Sequence, residues 1–263
     1  MHNSELSPDS LVKKISTSLD WDDLVVNDEL LRGIAEIKEY FLYGKRLTED
    51  FQLSRRIKPG YRCFFAGPPG TGKELTATLL GKELNKDVFK IDLSLVVSKY
   101  IGETEKNLAA VFNKAEGKDW ILFFDEADAL FGKRTDVKSA HDRYANQETS
   151  YLLQRLEACD GLVILSSNLK NTIDSAFIRR FQLVLDFKIP DVNERLNIWK
   201  KIIANEFEYH SDINLEYLAE NYVLTPASMV NSMQHAILKC LARDERIVRL
   251  EDLLAGIETE LEK

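Results

Sequence analysis

The sequence predicts an α/β fold: a parallel sheet with helices on both faces, followed by a small all-helical domain. Three observations predict it. Short, continuously apolar runs alternate with longer amphipathic ones from Trp21 to about Lys188, as strands buried on both faces do. A glycine-rich stretch, Gly67–Lys73, lies where the first of these runs gives way to a helical pattern. After Pro190 the short runs stop and the apolar spacing becomes helical.

The elements follow in chain order. Residues 1–20 read as a loose polar lead-in. The strand candidates are Tyr61–Phe65, Val88–Asp92, Trp120–Phe124, Gly161–Ser166 and Leu183–Phe187. Their alternation with helical stretches makes a parallel sheet the economical arrangement. In the last part, Asp191 can cap a helix with apolar positions Leu196, Trp199, Ile202 and Ile203. Thr225-Pro226 supplies a cap followed by proline at the first helical position. Met229, Val230, Met233, Ile237, Cys240 and Leu241 follow at helical spacing, and Leu253, Leu254, Ile257 and Leu261 mark a final helix. The organisation expected is a polar segment over 1–20, an α/β domain over 21–188 and a helical domain over 189–263.

Composition narrows the function classes. The chain has 263 residues, 44% hydrophobic and 30% charged, an ordinary globular balance. Its net charge of −8 is opposite in sign to that of a duplex-coating protein, which disfavours nucleic acid as a partner without excluding a local basic pocket. No apolar run approaches the roughly 20 residues that span a bilayer, so no membrane partner is expected. The start of the chain lacks the apolar centre of a secretory signal. Cys63, Cys159 and Cys240 form neither a metal pair nor a disulfide framework. They read as core residues of a cytoplasmic protein.

Gly67-Pro68-Pro69-Gly70-Thr71-Gly72-Lys73 is a G-x-x-x-x-G-K loop between strand and helix. Its glycines let successive backbone N–H groups turn toward phosphate oxygens, and the following helix adds its positive end. Lys73 would reach the outer phosphates. The next position calls for a Ser or Thr hydroxyl on Mg²⁺, but Glu74 stands there. A carboxylate is also a hard oxygen ligand. It brings a like charge toward the phosphates, worth on the order of 3 kcal/mol at about 5 Å and an effective dielectric of ~20. Three readings stay open: Glu74 contacts the metal, it swings to solvent and leaves its place to water, or the site is impaired.

Two strand ends complete the pattern. Trp120–Phe124 runs directly into Asp125-Glu126. Asp125 fits the metal side of a phosphoryl-transfer site, and Glu126 fits the general base or water-orienting group. Asn168 follows the strand Gly161–Ser167, where an amide would hold the attacking water or the terminal phosphate.

With these residues in place, the chain resembles the AAA+ ATPases from about Trp21 onward. The resemblance is carried by Gly67–Lys73, Phe123-Phe124-Asp125-Glu126-Ala127-Asp128, Asn168 and Ile173–Phe181. It implies a P-loop α/β domain with a five-stranded parallel sheet in the order 5-1-4-3-2 and a helical lid. It also implies ATP or ADP with Mg²⁺ as cofactors, and a homo-oligomer, six-membered by analogy, acting on a protein client. Asp23, Leu24 and Val25 would lie near the adenine. Pro68, Pro69, Gly70, Thr71, Gly72, Lys73, Glu74 and Leu75 would line the phosphates. Arg179 and Arg180 would be arginine fingers reaching a neighbouring subunit's site. Ser98–Glu103 is similar to the first pore loop of the meiotic-like members, the spastin and katanin kind, with Lys99, Tyr100 and Ile101 gripping a peptide. Gly132–Asp142 falls where a second pore loop would lie, and no sensor-2 arginine is evident at Thr225–Ser228. A narrower resemblance, in Lys58–Arg62, Trp120–Lys133 and Asp142–Glu148, is to the ATPase of phage-tail-like contractile injection systems, which departs from this chain in having Thr at position 74.

The leading expectation is a ring-forming ATPase that threads or remodels a protein. A nucleotide-gated scaffold with little turnover is the alternative that Glu74 supports. A DNA-acting clamp or helicase loader is disfavoured by charge and by Tyr100.

Overall fold

A computed structural model of the chain describes residues 11–50, 56–57, 60–97, 102–131, 140–168 and 175–263. These divide into two compact units. One is drawn from Met1–Asp20, Glu29–Gly67 and Lys73–Asp186, the other from Trp21–Asp28, Pro68–Gly72 and Phe187–Lys263.

The first unit is built on a sheet of six strands. These are β1 (Lys13–Ile15), β2 (Tyr61–Ala66), β3 (Asp87–Asp92), β4 (Trp120–Asp125), β5 (Leu162–Ser167) and β6 (Leu183–Asp186). Their order is β1-β3-β4-β5-β2-β6. The expected five-stranded, all-parallel sheet is therefore corrected to a six-stranded mixed one. The difference lies in the segment read as a loose lead-in: Lys13, Lys14 and Ile15 pair antiparallel with Lys90, Phe89 and Val88. Leu11 and Val12, just before them, are 4% and 6% exposed and belong to the core. Burying two apolar side chains and pairing a free strand edge together outweigh the ordering of a short polar segment.

The strands β2, β4 and β5 are buried because helices cover them. The helices of this unit are α1 (Asp28–Glu49), α2 (Lys73–Leu84), α3 (Leu93–Val96), α4 (Glu103–Ala115), α5 (Asp128–Phe131), α6 (Ala140–Ala158) and α7 (Ser175–Ile178). Leu30, Ile34 and Ile37 on α1 recur at helical spacing and are at most 3% exposed. Phe64, Phe124, Leu122, Leu165, Leu108 and Leu152 form the centre of the core. Phe112 on α4 stacks on Phe124 at 5.4 Å between ring centroids. Trp120, at the start of β4, lies against Phe89 of β3 at 3.9 Å. The parallel register sets β3 beside β4 with Asp92 opposite Asp125, and β4 beside β5 with Phe124 opposite Leu165. The C-terminal ends of these strands therefore share one edge of the sheet, which is where an open α/β sheet places its functional groups.

The second unit holds α8 (Val192–Ile202), α9 (Leu215–Asn221), α10 (Pro226–Ala242) and α11 (Leu250–Leu261). Asp191 caps α8 in a reciprocal box with Glu194, each bond 2.8 Å. Thr225 caps α10 by accepting from the Ser228 N–H at 3.2 Å, with Pro226 in the first turn. Trp199, Met229, Met233, Cys240, Leu253 and Ile257 form a separate core. Arg195 is buried at 5% exposure and is satisfied by carbonyls: it donates to Ala219 O at 2.8 Å and Pro190 O at 2.6 Å. The expectation of an all-helical domain is corrected by one feature. Glu208–Tyr209 (β7) and Ile247–Val248 (β8) pair as a parallel two-stranded ladder. Two β-branched residues favour the extended backbone there, and each strand is too short to show a period.

Candidate functional site

In the first unit the site is assembled from the ends of β2, β3, β4 and β5 and the starts of α2 and α5. Strand β4 is apolar to Phe124 and ends at Asp125, whose Oδ1 accepts the Glu126 N–H at 3.0 Å. Glu126 then adopts φ 55°, a left-handed conformation uncommon for a residue with a side chain. That turn returns the chain to the sheet, where the Ala127 N–H donates to Ser166 O at 2.9 Å. Strain of this kind, roughly 1–3 kcal/mol, persists where the surroundings fix it.

Lys73 opens α2 and is 7% exposed. Its ammonium donates to Gly67 O at 2.6 Å and to Asn168 Oδ1 at 3.1 Å. Asn168 Nδ2 in turn donates to Glu126 Oε2 at 3.4 Å. The Asn168 N–H and the Ser167 hydroxyl both donate to Asp128 Oδ1, at 3.3 and 3.0 Å. The loop lysine, the strand-end amide and the acidic residue thus form one chain of hydrogen bonds, with Asp128 holding the backbone of Asn168. Burial lowers the Lys73 pKa below its ordinary value, against the pull of Asp125, Glu126 and Asp128. Burial also raises the pKa of Glu126, helped by the charges of Asp125, Asp128 and Asp92 and opposed by the Asn168 hydrogen bond. A carboxylate made harder to ionise is a better proton acceptor near neutral pH.

The sequence reasoning did not single out Lys90. Its ammonium lies 2.7 Å from Glu74 Oε2 and 2.7 Å from Asp125 Oδ2. The side chain of Glu74 is half-exposed at 51%, whereas Asp125 is 18% exposed. Burial works against the charge on Lys90, but the two carboxylates more than reverse this and push its pKa up. Glu74, in the first turn of α2, therefore meets a cation on the neighbouring strand β3. The signal was a lone charged residue within Val88-Phe89-Lys90-Ile91, interpretable only together with Glu74. Asp128 had appeared only inside the acidic motif.

The donor set can be tested against the groups such a site implies. Phosphates fit: Lys73 stands at the loop's end, and Gly70 and Gly72 have φ of +76° and +102°, which side chains rarely adopt. Magnesium does not fit the residues as placed. It takes six oxygens in a near-octahedral array at about 2.0–2.1 Å, most of them from water and phosphate and one or two from protein carboxylates. One oxygen of each of the two carboxylates that would serve it, Glu74 Oε2 and Asp125 Oδ2, is already ion-paired with the Lys90 ammonium, and Asp125 Oδ1 accepts the Glu126 N–H. Among the described residues no group of three or more His, Cys, Asp or Glu side chains is arranged to hold a metal.

The second unit carries the middle of the loop. Thr71 Oγ1 donates to Pro68 O at 2.7 Å. The Ala227 N–H, in the first turn of α10, donates to Gly70 O at 3.1 Å. A Cβ on Gly70 would stand 2.8 Å from Ala227 Cβ and 2.9 Å from Thr225 Oγ1. Pro69 is exposed and Leu75 half-buried. Asp23 ends a short 3-10 turn, Trp21–Asp23, and Val25 packs on this unit's core. A Cβ on Gly72 would touch Leu24 Cδ1 at 3.0 Å.

Arg179 and Arg180 are exposed on the turn after α7. Arg180 pairs with Glu157 of α6 at 2.6 Å. Lys99, Tyr100 and Ile101, the greater part of the second loop, and Ile173 and Asp174 lie outside the described residues.

Residues 63–189 match the model of the ATPase family associated with various cellular activities (AAA). Those residues, just under half of the chain, thus match an AAA ATPase-family domain. It is 31% identical over 205 residues to cell division protein C of Sulfolobus acidocaldarius, covering 74% of this chain and 53% of that protein. It is 28% identical over 261 residues to the probable 26S proteasome regulatory subunit 10B of Caenorhabditis elegans, covering 95% and 63%. It is 35% identical over 230 residues to ATPase family gene 2 protein of Schizosaccharomyces pombe, covering 86% and 28%. The chain therefore spans less than two thirds of each. No helix among the described residues is long and apolar enough to cross a membrane.

Proposed function

We propose that the chain is a ring-forming AAA+ ATPase that couples ATP binding and hydrolysis to remodelling or threading of a protein. The observation that carries this reading is the hydrogen-bonded series Lys73–Asn168–Glu126. It joins a phosphate-binding cation to a candidate base through an amide able to orient water between them. In the proposed reaction water attacks the terminal phosphorus, its proton passes to the Glu126 carboxylate, and the P–O bond to ADP breaks. Asn168 positions the water, and Lys73 draws charge from the outer phosphates. Arg179 and Arg180 of a neighbouring copy supply the remaining positive charge, a contribution worth ~10³–10⁵ in rate in related phosphoryl transfers. The AAA match and relatives bearing ATPase and proteasome regulatory names support the class.

The finer assignment rests on resemblance: a six-membered, cytoplasmic homo-oligomer whose client belongs to a contractile injection system, engaged in its assembly or cargo handling. A second reading, a nucleotide-binding scaffold with weak hydrolysis, is favoured by the ion-paired Glu74. Steady-state phosphate release across protein concentration separates the two. The ATPase reading requires specific activity that rises with concentration and is lost in Glu126→Gln. Nucleotide binding without turnover, with activity appearing only in Glu74→Thr, would establish the scaffold.

A further inference from the structure

The position after the phosphate-loop lysine and the aspartate at the end of β4 are the two places where a P-loop site presents oxygen to its divalent cation. Here both carry carboxylates, and both carboxylates hold the same ammonium. Each residue is odd by itself. Glu74 places a negative charge beside phosphates, and Lys90 places a positive charge between the apolar Phe89 and Ile91 of β3. One arrangement accounts for both. Glu74 provides the second carboxylate that fixes Lys90, and Lys90 cancels the charge that Glu74 would turn on a nucleotide.

The geometry supports more than a surface ion pair. Lys90 is 26% exposed, and the strand backbone on both sides of it is paired, with Phe123 of β4 on one side and Lys13 of β1 on the other. Its stem therefore has little freedom, and its better-buried partner, Asp125, is itself fixed at the end of β4. An ammonium has three N–H donors. Two are directed at Glu74 and Asp125, which leaves one for a phosphate oxygen. An ammonium with N–H···O distances of 2.7 Å also tolerates a looser cage than magnesium does.

We propose that Lys90 is the resident cation of this nucleotide site, its ammonium standing between Glu74 and Asp125 where a divalent metal would otherwise bridge protein and phosphate, so that ADP and ATP bind without requiring magnesium. The proposal rests on the nucleotide-site reading given above.

The test is ADP and ATP binding by isothermal titration, in millimolar MgCl₂ and in EDTA. It compares the parent chain, Lys90→Met and the double variant Glu74→Thr/Lys90→Ser, with circular dichroism confirming that each is folded. The parent's affinity should differ by less than about threefold between the two conditions. Lys90→Met should bind about 10–100-fold more weakly in EDTA, because Glu74 and Asp125 then face the phosphates unopposed. The double variant should acquire a magnesium dependence of about tenfold or more. If the parent loses tenfold or more in EDTA, or Lys90→Met binds as the parent does, the inference is overturned while the nucleotide site stands. If the parent binds no nucleotide in either condition, the site reading and the inference both fail. The double variant keeps the test decisive if Lys90→Met does not fold.

Discussion

At the scale of single residues, Glu126 gives two predictions of opposite sign. It accepts a proton only as a carboxylate, and its pKa lies above the ordinary carboxylate range because of burial and the nearby Asp125, Asp128 and Asp92. Turnover should therefore rise with pH through that raised value. Stability runs the other way. Between the unfolded carboxylate's pKa and the raised one, the folded chain holds the proton more tightly than the unfolded chain does, so stability is lost as pH rises through that window. Glu126→Gln should melt above the parent at neutral pH, and the difference should vanish below the ordinary carboxylate pKa. The same variant should lower phosphate release about 10²–10⁴-fold. Thermal melts and rate profiles across pH check both. Lys73→Ala removes donors to Gly67 O and Asn168 Oδ1 and should weaken ADP binding about 10–100-fold. The sequence revealed Lys73 through the glycine-rich loop that ends on it, and Asp125, Glu126 and Asn168 because each sits where an apolar run ends downstream of that loop. It did not reveal Lys90 or the work of Asp128. Their partners lie on other elements, and only strand register brings them together.

At the scale of elements, β1 is the informative case. Lys13-Lys14 reads as solvated charge, and three residues are too few to show an alternation. Yet Leu11 and Val12 enter the core beside it. Leu11→Ala should destabilise the chain by about 2–3 kcal/mol. Hydrogen exchange should quicken at the backbone of Val88–Lys90, where β1 pairs. An unchanged exchange rate there would show that the strand contributes nothing to the edge. The ladder β7–β8 was missed for the same reason of length. By contrast, α10 was legible from its cap, its proline and its apolar spacing. Its N-terminal Ala227 N–H bonded to Gly70 O was not, because that bond joins residues distant in sequence.

At the scale of the whole molecule, the exposed Arg180 suggests how copies would cooperate. In a shared-site ring, Arg180→Ala disables the site of its neighbour, whereas Glu126→Gln disables its own. Mixing the two inactive variants should restore turnover to about tenfold or more above either alone, because some interfaces then combine an intact Glu126 with an intact Arg180. A mixture no more active than its components would place the whole reaction within one chain. The fold class was legible because buried parallel strands and a helical tail differ in texture along the sequence. The sixth strand, and the grouping of Trp21–Asp28 and Pro68–Gly72 with the helical unit, required long-range contacts that no local pattern records.

Each of the two cores packs a different tryptophan. Trp120, partly buried, lies tilted against Phe89 in the sheet unit, and Trp199 is fully buried among the helices of the other. The third, Trp21, lies on the short 3-10 turn. With Trp21 replaced by phenylalanine, ultraviolet emission would come from one indole in each core. Single-tryptophan derivatives would then show, by separate spectral shifts during a denaturant titration, whether the two cores melt together or one after the other.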